Sequence, residues 1–372
     1  MLKREFNNLL NLFNRRKILI IFGARRTGKT TLLNNFLKTS NLKYKLDTGD
    51  SLRLQMLFSD CDIKKILEYV SDYELIALDE AQEIPDIGQA LKIISDYSNV
   101  KVIATGSSSF RLSQKTGEPL TGRKVTVTLY PISQKELRSH YNKYELREKL
   151  NEFLIFGSYP EVVTAKTKQE KIDILKELVD SYLLKDILTH EKIKSPKVLL
   201  QIVKLLAFQI GNEVSLNEIA TQVQVDVKTV SRYFDLLEKC FVIKTISAYS
   251  TNLRKEITTK NKYIFYDNGV RNAIISQFAE LDDRNDIGQL FENFVITERI
   301  KKLSYEKFYG NIYFWRNYNG QEIDLVEEID GKLSAVEIKL NKIVKPPSNW
   351  MKNYPKADFK VITTDNYLDF VL

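Results

Sequence analysis

Apolar and polar positions follow two rhythms along this chain, and the change between them marks its segments. In the first 130 residues short apolar runs alternate with stretches of helical spacing, the pattern of a parallel α/β sheet. Lys17–Phe22 reads as a buried strand and Glu74–Asp79 as a strong one. Tyr44–Asp47, Val100–Thr105 and Val125–Tyr130 complete five strands, with helices predicted over Thr30–Lys38 and Ile87–Tyr97. From Ile132 to His190 the texture is helical, broken at Gly157-Ser158-Tyr159-Pro160, which suits a lid on the preceding sheet.

A further segment begins near residue 195. Helices are predicted over Lys197–Ile210, from Ser215 onward and over Val227–Lys239, with Ser215 and Glu218 spaced as a capping box. The strand Phe241–Ile246 and a polar, hairpin-like stretch Asn252–Lys262 follow, so three helices precede a β wing. That order predicts a winged helix-turn-helix. The last hundred residues read as helix (Gly288–Leu303), strand (Ile312–Asn317), a hairpin turning at Asp330-Gly331, and a late strand Phe359–Thr363. The expected domains are 1–131, 132–192, 193–270 and 271–372.

Composition narrows the class without choosing a function. The chain has 372 residues, 43% of them hydrophobic and 28% charged, with two His and two Cys. With so few, a disulfide framework, zinc fingers and His-rich metal sites are not expected, and two lone cysteines suit a reducing, cytoplasmic setting. No apolar run approaches a membrane span and none reads as a secretory leader. The net charge of +8 lies mainly in the first 140 residues, while the last hundred are slightly acidic. The surplus is therefore a weak argument for nucleic acid.

The chemistry lies in motifs. Gly23-Ala24-Arg25-Arg26-Thr27-Gly28-Lys29-Thr30 fits a phosphate-binding loop at every fixed position, between a strand and a helix, with Thr31 following. Its backbone N–H groups would close around ATP phosphates, Lys29 would reach the β/γ oxygens, and the Thr30 hydroxyl would ligate Mg²⁺. The strand Leu75–Leu78 delivers Asp79 for the same ion and Glu80 as general base; the alternative is that both acids merely cap the next helix. Ser107, just past the fourth strand, is either a γ-phosphate sensor or part of a Ser-rich turn. Arg111 and Arg123 are nearby cations for the transition state, in cis or from a neighbouring subunit of a homo-oligomer.

These motifs resemble the AAA-superfamily ATPases. Gly-Ala-Arg-Arg-Thr-Gly-Lys-Thr, Leu-Asp-Glu-Ala-Gln (78–82), Thr-Gly-Ser-Ser-Ser (105–109), Leu-Thr-Gly-Arg (120–123) and Gly-Ser-Tyr-Pro-Glu (157–161) are similar to one archaeal and bacterial group. The resemblance implies an α/β P-loop AAA-type parallel sheet with a helical lid, a winged helix-turn-helix and a C-terminal domain of restriction-endonuclease-like fold. It also implies Ser107 as sensor and Arg123 as the favoured arginine finger.

In the last domain Asp324 sits on one strand of the hairpin, with Glu337 and Lys339 on the other, and Glu292 on the preceding helix. An Asp followed by Glu-x-Lys on the adjacent strand resembles the PD-(D/E)xK nuclease core. There Asp324 and Glu337 would bind Mg²⁺ and Lys339 would orient water. The alternative is a chance pattern in an acid-rich hairpin. DNA contacts are expected from Lys228 and Arg232 on the Val227–Lys239 helix and from Arg254, Lys255, Lys260 and Lys262 on the wing. The alternative is a module that only docks against protein. Two functions follow: a DNA-associated ATPase with a nuclease module, or a nucleotide-controlled regulatory switch with a cleavage-inactive docking domain. A remodeller of protein partners is a third.

Overall fold

The computed structural model describes residues 2–6, 8–13, 16–106, 119–180, 195–250 and 261–372. The chain divides into two compact units, residues 3–131 with 239–241 and residues 132–238 with 242–372.

The first unit is built on five parallel strands in the order β2-β3-β4-β1-β5, from β1 (Ile18–Phe22), β2 (Tyr44–Thr48), β3 (Leu75–Asp79), β4 (Lys101–Gly106) and β5 (Lys124–Thr128). Alternation of side chains explains why its central strands are apolar throughout. Ile18, Ile20, Ile76, Leu78 and Val102 pack on one face against helices α2 (Leu52–Ser59), α3 (Ile63–Val70) and α4 (Ile87–Tyr97). Leu19, Ile21, Leu75, Ala77 and Ile103 pack on the other against α1 (Lys29–Thr39). Helices α2 and α3 lie in a stretch where the sequence reading placed no element. Each begins at a side-chain cap, Ser51 on the Leu54 N–H and Asp62 on Lys64 and Lys65, a local signal that was there to be read.

The second unit holds a mixed seven-stranded sheet in the order β12-β11-β10-β9-β7-β8-β6. Its strands are β6 (Glu213–Val214), β7 (Ile243–Ala248), β8 (Asn261–Phe265), β9 (Asn311–Arg316), β10 (Glu322–Ile329), β11 (Lys332–Ile338) and β12 (Asp358–Ile362). The helices Pro196–Phe208, Leu216–Val223 and Val227–Lys239 precede β7 and β8, which pair antiparallel. β7 then continues the sheet by pairing parallel with β9 at Ser247–Tyr313 and Ala248–Phe314. The segments expected as separate domains on either side of residue 270 thus share one ladder. Hydrophobic patterning could not reveal this, because strand pairing between distant segments leaves no local signature.

The helical segment expected as a lid shares its core with the second unit. Phe153 stacks on Phe294 and Phe156 on Phe278, at centroid separations of 6.4 and 6.1 Å. Asn272 donates to the carbonyls of Leu154 and Ile155. Buried Asp267 accepts from the Ser158 N–H at 2.7 Å and caps the helix Asn268–Ile274 through the Val270 N–H. Gly157 has a left-handed φ of 71°, and a Cβ there would lie 2.0 Å from the Asp267 carboxylate. Only glycine therefore fits this tie. Among the described residues no helix is long and apolar enough to cross a membrane.

Removing the Asp267 carboxylate deletes a cap and strands the buried Ser158 N–H. Asp267→Ala should lower the unfolding free energy by about 3 kcal/mol, and Asp267→Asn, which keeps an acceptor oxygen, by clearly less. Urea titration followed by circular dichroism checks the order of the three proteins.

Candidate functional site

In the first unit, strand order decides what meets what. β4 runs between β1 and β3, with Thr105 in register with Ile21 on β1 and Ala104 with Leu78 on β3. The carboxyl ends of three strands thereby bring the loop after β1, Asp79 and Thr105 to one sheet edge, where parallel α/β sheets place their ligands. Gly28 takes a left-handed φ of 91° to turn the loop into α1. Gly23 lies so close to β5 that a Cβ would come within 2.2 Å of the Leu129 carbonyl oxygen.

Lys29 is buried, and its ammonium donates to the carbonyls of Gly23 (3.0 Å) and Ala24 (2.9 Å), which keeps the charge within the loop. Thr27 ties the loop by donating to the Ala24 carbonyl at 2.9 Å. Arg25, Thr30 and Thr31 are exposed. The Thr30 hydroxyl donates to Asp79 Oδ2 at 2.7 Å, joining the loop to β3. A hydroxyl beside a carboxylate is an oxygen-donor pair that fits Mg²⁺. When bound, that ion neutralises phosphate charge. Glu80 has a left-handed φ of 48°, a strained setting for a residue with a Cβ, and its carboxylate accepts from buried Gln82. Its carboxylate thus follows Asp79 at the sheet edge, where a general base was expected from the sequence.

Two residues of this site escaped sequence reasoning. Thr105, fully buried, donates from its hydroxyl to Asp79 Oδ1 and accepts from the Glu80 N–H at 3.2 Å, so one side chain orients both acids. Its position at the end of an apolar strand, two residues before Ser107, was the available signal. Buried Arg4 donates to the Thr27 carbonyl at 2.7 Å and the Tyr130 carbonyl at 2.6 Å, bracing the loop against the strand beside it. No motif marks it.

Ser107, the expected sensor, lies outside the described residues, as does Arg111. Arg123 is not placed to act on its own phosphate loop. It precedes β5, whose Lys124 is in register with Ile18 at the start of β1, whereas the phosphate loop follows Phe22. The two are separated by roughly five strand residues, about 16 Å. Arg123 instead forms a bidentate pair with Asp96 at 2.7 and 3.0 Å, and its hydrogen bond holds the Asp96 carboxyl below the usual range. The fold thus keeps Arg123 at the opposite edge from its own phosphate loop.

In the second unit the four residues of the C-terminal pattern do converge. Asp324 lies one position beyond the registered pair Leu325–Val336, which sets it across from Glu337. A bulge between Ile323 and Val326 re-aims the strand there. Asp324 Oδ2 accepts from the Ile338 N–H at 2.7 Å and from Lys339 at 3.2 Å, and Lys339 lies 2.7 Å from Glu337 Oε1. Glu292 joins them from the helix Ile287–Tyr305, around a cavity of 610 Å³. Burial and neighbouring Asp324 raise the Glu337 carboxyl above the usual range, and burial pushes Glu292 up to about 7.

Lys262 is a correction. Expected as a wing cation for DNA phosphates, it is buried on β8 and lies 3.0 Å from Glu292 Oε1, in contact with Glu322 and 4.0 Å from Asp324 Oδ1. Burial opposes its charge, but the three carboxylates together hold it above the ordinary lysine value. Of the remaining DNA candidates, Lys228 and Arg232 are exposed one helical turn apart on Val227–Lys239, opposite buried Val230, Tyr233 and Leu237. Arg254, Lys255 and Lys260 lie outside the described residues.

With both sites described, comparison with known proteins places the chain. Three family models match in succession: an AAA domain over residues 15–138, a domain of unknown function (DUF8612) over 147–281 and a domain of unknown function (DUF4143) over 287–364. An uncharacterized protein of Haemophilus influenzae is 26% identical over 86% of this chain and 82% of its own length. One of Methanocaldococcus jannaschii is 25% identical over 94% of this chain and 80% of its own. A solved Walker-type ATPase of Pyrococcus abyssi is similar at 17% identity and a TM-score of 0.48, covering 73% of this chain and 94% of that one. The AAA match over the phosphate loop and Asp79 identifies the class: the protein is a P-loop ATPase of the AAA type.

Three variants separate the roles. Lys29→Ala should abolish nucleotide binding, while Glu80→Gln should bind ATP and lose about a hundredfold or more in turnover. Thr105→Val should lower kcat by about tenfold or more with little change in nucleotide affinity, as expected of a residue that orients a ligand without touching it. Equilibrium nucleotide binding and steady-state phosphate release check all three. Wild-type turnover in Glu80→Gln sinks the base assignment.

Proposed function

We propose that the protein is an ATP-hydrolysing, DNA-associated enzyme in which Mg²⁺-ATP turnover in the first unit controls an effector in the second. Asp79 carries the first part of this reading, because Thr30 of the phosphate loop and Thr105 of β4 grip its two oxygens. The effector comprises a winged-helix-like module, helices 196–239 with β6, β7 and β8, and a PD-(D/E)xK-like centre at Glu292, Asp324, Glu337 and Lys339. Convergence of those four residues on one cavity supports the nuclease-like reading. Exposure of Lys228 and Arg232 on one helix face supports contact with DNA phosphates. Homo-oligomerisation belongs to the same proposal, since Arg123, held away from its own phosphate loop, could act as a finger only for a neighbouring copy.

One observation favours the alternative of a regulatory switch with a cleavage-inactive docking domain. Lys262 already sits among the carboxylates that a nuclease would offer to metal.

ATPase rate with and without single-stranded, duplex and branched DNA tests the proposal, with strand integrity read in the same tubes. Turnover that rises with DNA supports it. Unchanged turnover with a nucleotide-dependent change of assembly supports the switch. Lys228→Ala/Arg232→Ala should weaken DNA binding uniformly across sequences and reduce the slope of log affinity against log salt by about 2. An unchanged slope removes that helix from the interface.

A further inference from the structure

The carboxylate centre of the second unit does not fit a divalent metal as it is folded. Asp324 Oδ2 is engaged by the Ile338 N–H and Lys339, and its Oδ1 faces the Lys262 ammonium at 4.0 Å. Glu292 gives Oε1 to Lys262 at 3.0 Å, and Glu322 contacts the same ammonium while its other oxygen lies 3.8 Å from Arg316. Among the described residues no three acidic, His or Cys side chains are arranged to share a metal ion. Yet the centre is not saturated. Glu337, 9% exposed and lining the 610 Å³ cavity, has Oε2 buried without a hydrogen-bond partner. A buried carboxylate oxygen with no donor is costly, and it is the oxygen that a metal ion replacing the ammonium would satisfy.

The lysine that occupies the centre is itself set in place by the fold. Its side chain is 2% exposed, β8 is hydrogen-bonded on both sides by β6 and β7, and the ammonium lies 5.5 Å over the Phe314 ring. It comes from the helix-and-strand module, not from the PD-(D/E)xK-like segment that supplies the acids. A tethered ammonium and a divalent ion cannot both sit among the same oxygens, because like charges at that range repel strongly in a poorly solvated site.

We propose that Lys262 is a built-in cation that stands in for metal, so the C-terminal centre is latent and takes up a divalent ion only when the Lys262 ammonium is withdrawn. This rests on reading Glu292, Asp324, Glu337 and Lys339 as a nuclease-like metal centre. The control is specific, since Lys339 belongs to the pattern and stays, whereas Lys262 arrives from another segment and leaves.

The test is Mn²⁺ binding to the full chain without nucleotide, in an Asp79→Asn background that removes the ATP-site ligand, read by the paramagnetic signal of free Mn²⁺. Lys262→Met and Lys262→Gln should each gain one site about tenfold or more tighter than the parent, and adding Asp324→Asn should abolish it. The parent, with Lys262 in place, should show no Asp324-dependent site up to about 1 mM Mn²⁺. Should both Lys262 variants fail to fold by circular dichroism, an Asp324-dependent site in the parent below about 1 mM Mn²⁺ still overturns the latency, and Lys262→Arg, which keeps the charge but changes the reach of the cation, replaces them. An Asp324-dependent site in the parent as tight as in the variants overturns the latency while leaving the metal-centre reading intact. Folded Lys262 variants that bind no Mn²⁺ overturn both.

Discussion

Asp79 meets the phosphate loop because β4 runs between β1 and β3, and the nucleotide end of the molecule depends on that placement. Parallel pairing sets Thr105 in register with Ile21 on one side and next to Asp79 on the other. The Thr105 hydroxyl then faces Asp79 while Thr30 approaches from the loop. The apolar runs that make β1, β3 and β4 buried on both faces are thus also what fixes the geometry of the acids at their ends. Strain at Glu80, with its left-handed φ, is tolerated because its N–H is held by Thr105 and its carboxylate by Gln82.

The second unit follows a different logic, in which buried charges join segments far apart in the chain. Asp267 binds the turn at Ser158, Glu298 accepts from the Gln134 N–H at 2.6 Å, and Lys301 pairs with Glu298 at 2.6 Å. Such groups contribute little net stability while satisfied, yet losing one partner leaves a charge or N–H stranded. They therefore select one arrangement of helices against the sheet more than they strengthen it. Lys262 belongs to this pattern and adds something to it, because the carboxylates it neutralises line an open cavity.

What the sequence made legible follows from the range of each interaction. The phosphate loop, Asp79 and Glu80 are contiguous motifs on strongly patterned strands, and the end strand pattern Asp324, Glu337, Lys339 needs only a hairpin to assemble. Helix limits at Ile87–Tyr97 and Val227–Lys239 were set by local spacing and match the structure. The failures are non-local. Nothing near Lys262 in sequence announces acids at 292, 322 and 324, so a lysine in a polar run read as a solvated wing cation. Arg123 was favoured as finger by family resemblance, and its place at the amino end of β5, which keeps it from its own loop, is set by pairing with β1. The β7–β9 junction joins residues more than sixty positions apart, across the boundary that patterning drew between them.

The most direct measurement is a crystal structure of the full chain with magnesium and a non-hydrolysable ATP analogue. Lys29 should leave the Gly23 and Ala24 carbonyls for phosphate oxygens, and Thr30 should turn from Asp79 to the metal while Thr105 keeps its bond to Asp79. A nucleotide seated away from residues 23–30, or Lys29 still bonded to its own loop beneath it, would contradict the assignment of this edge as the catalytic one.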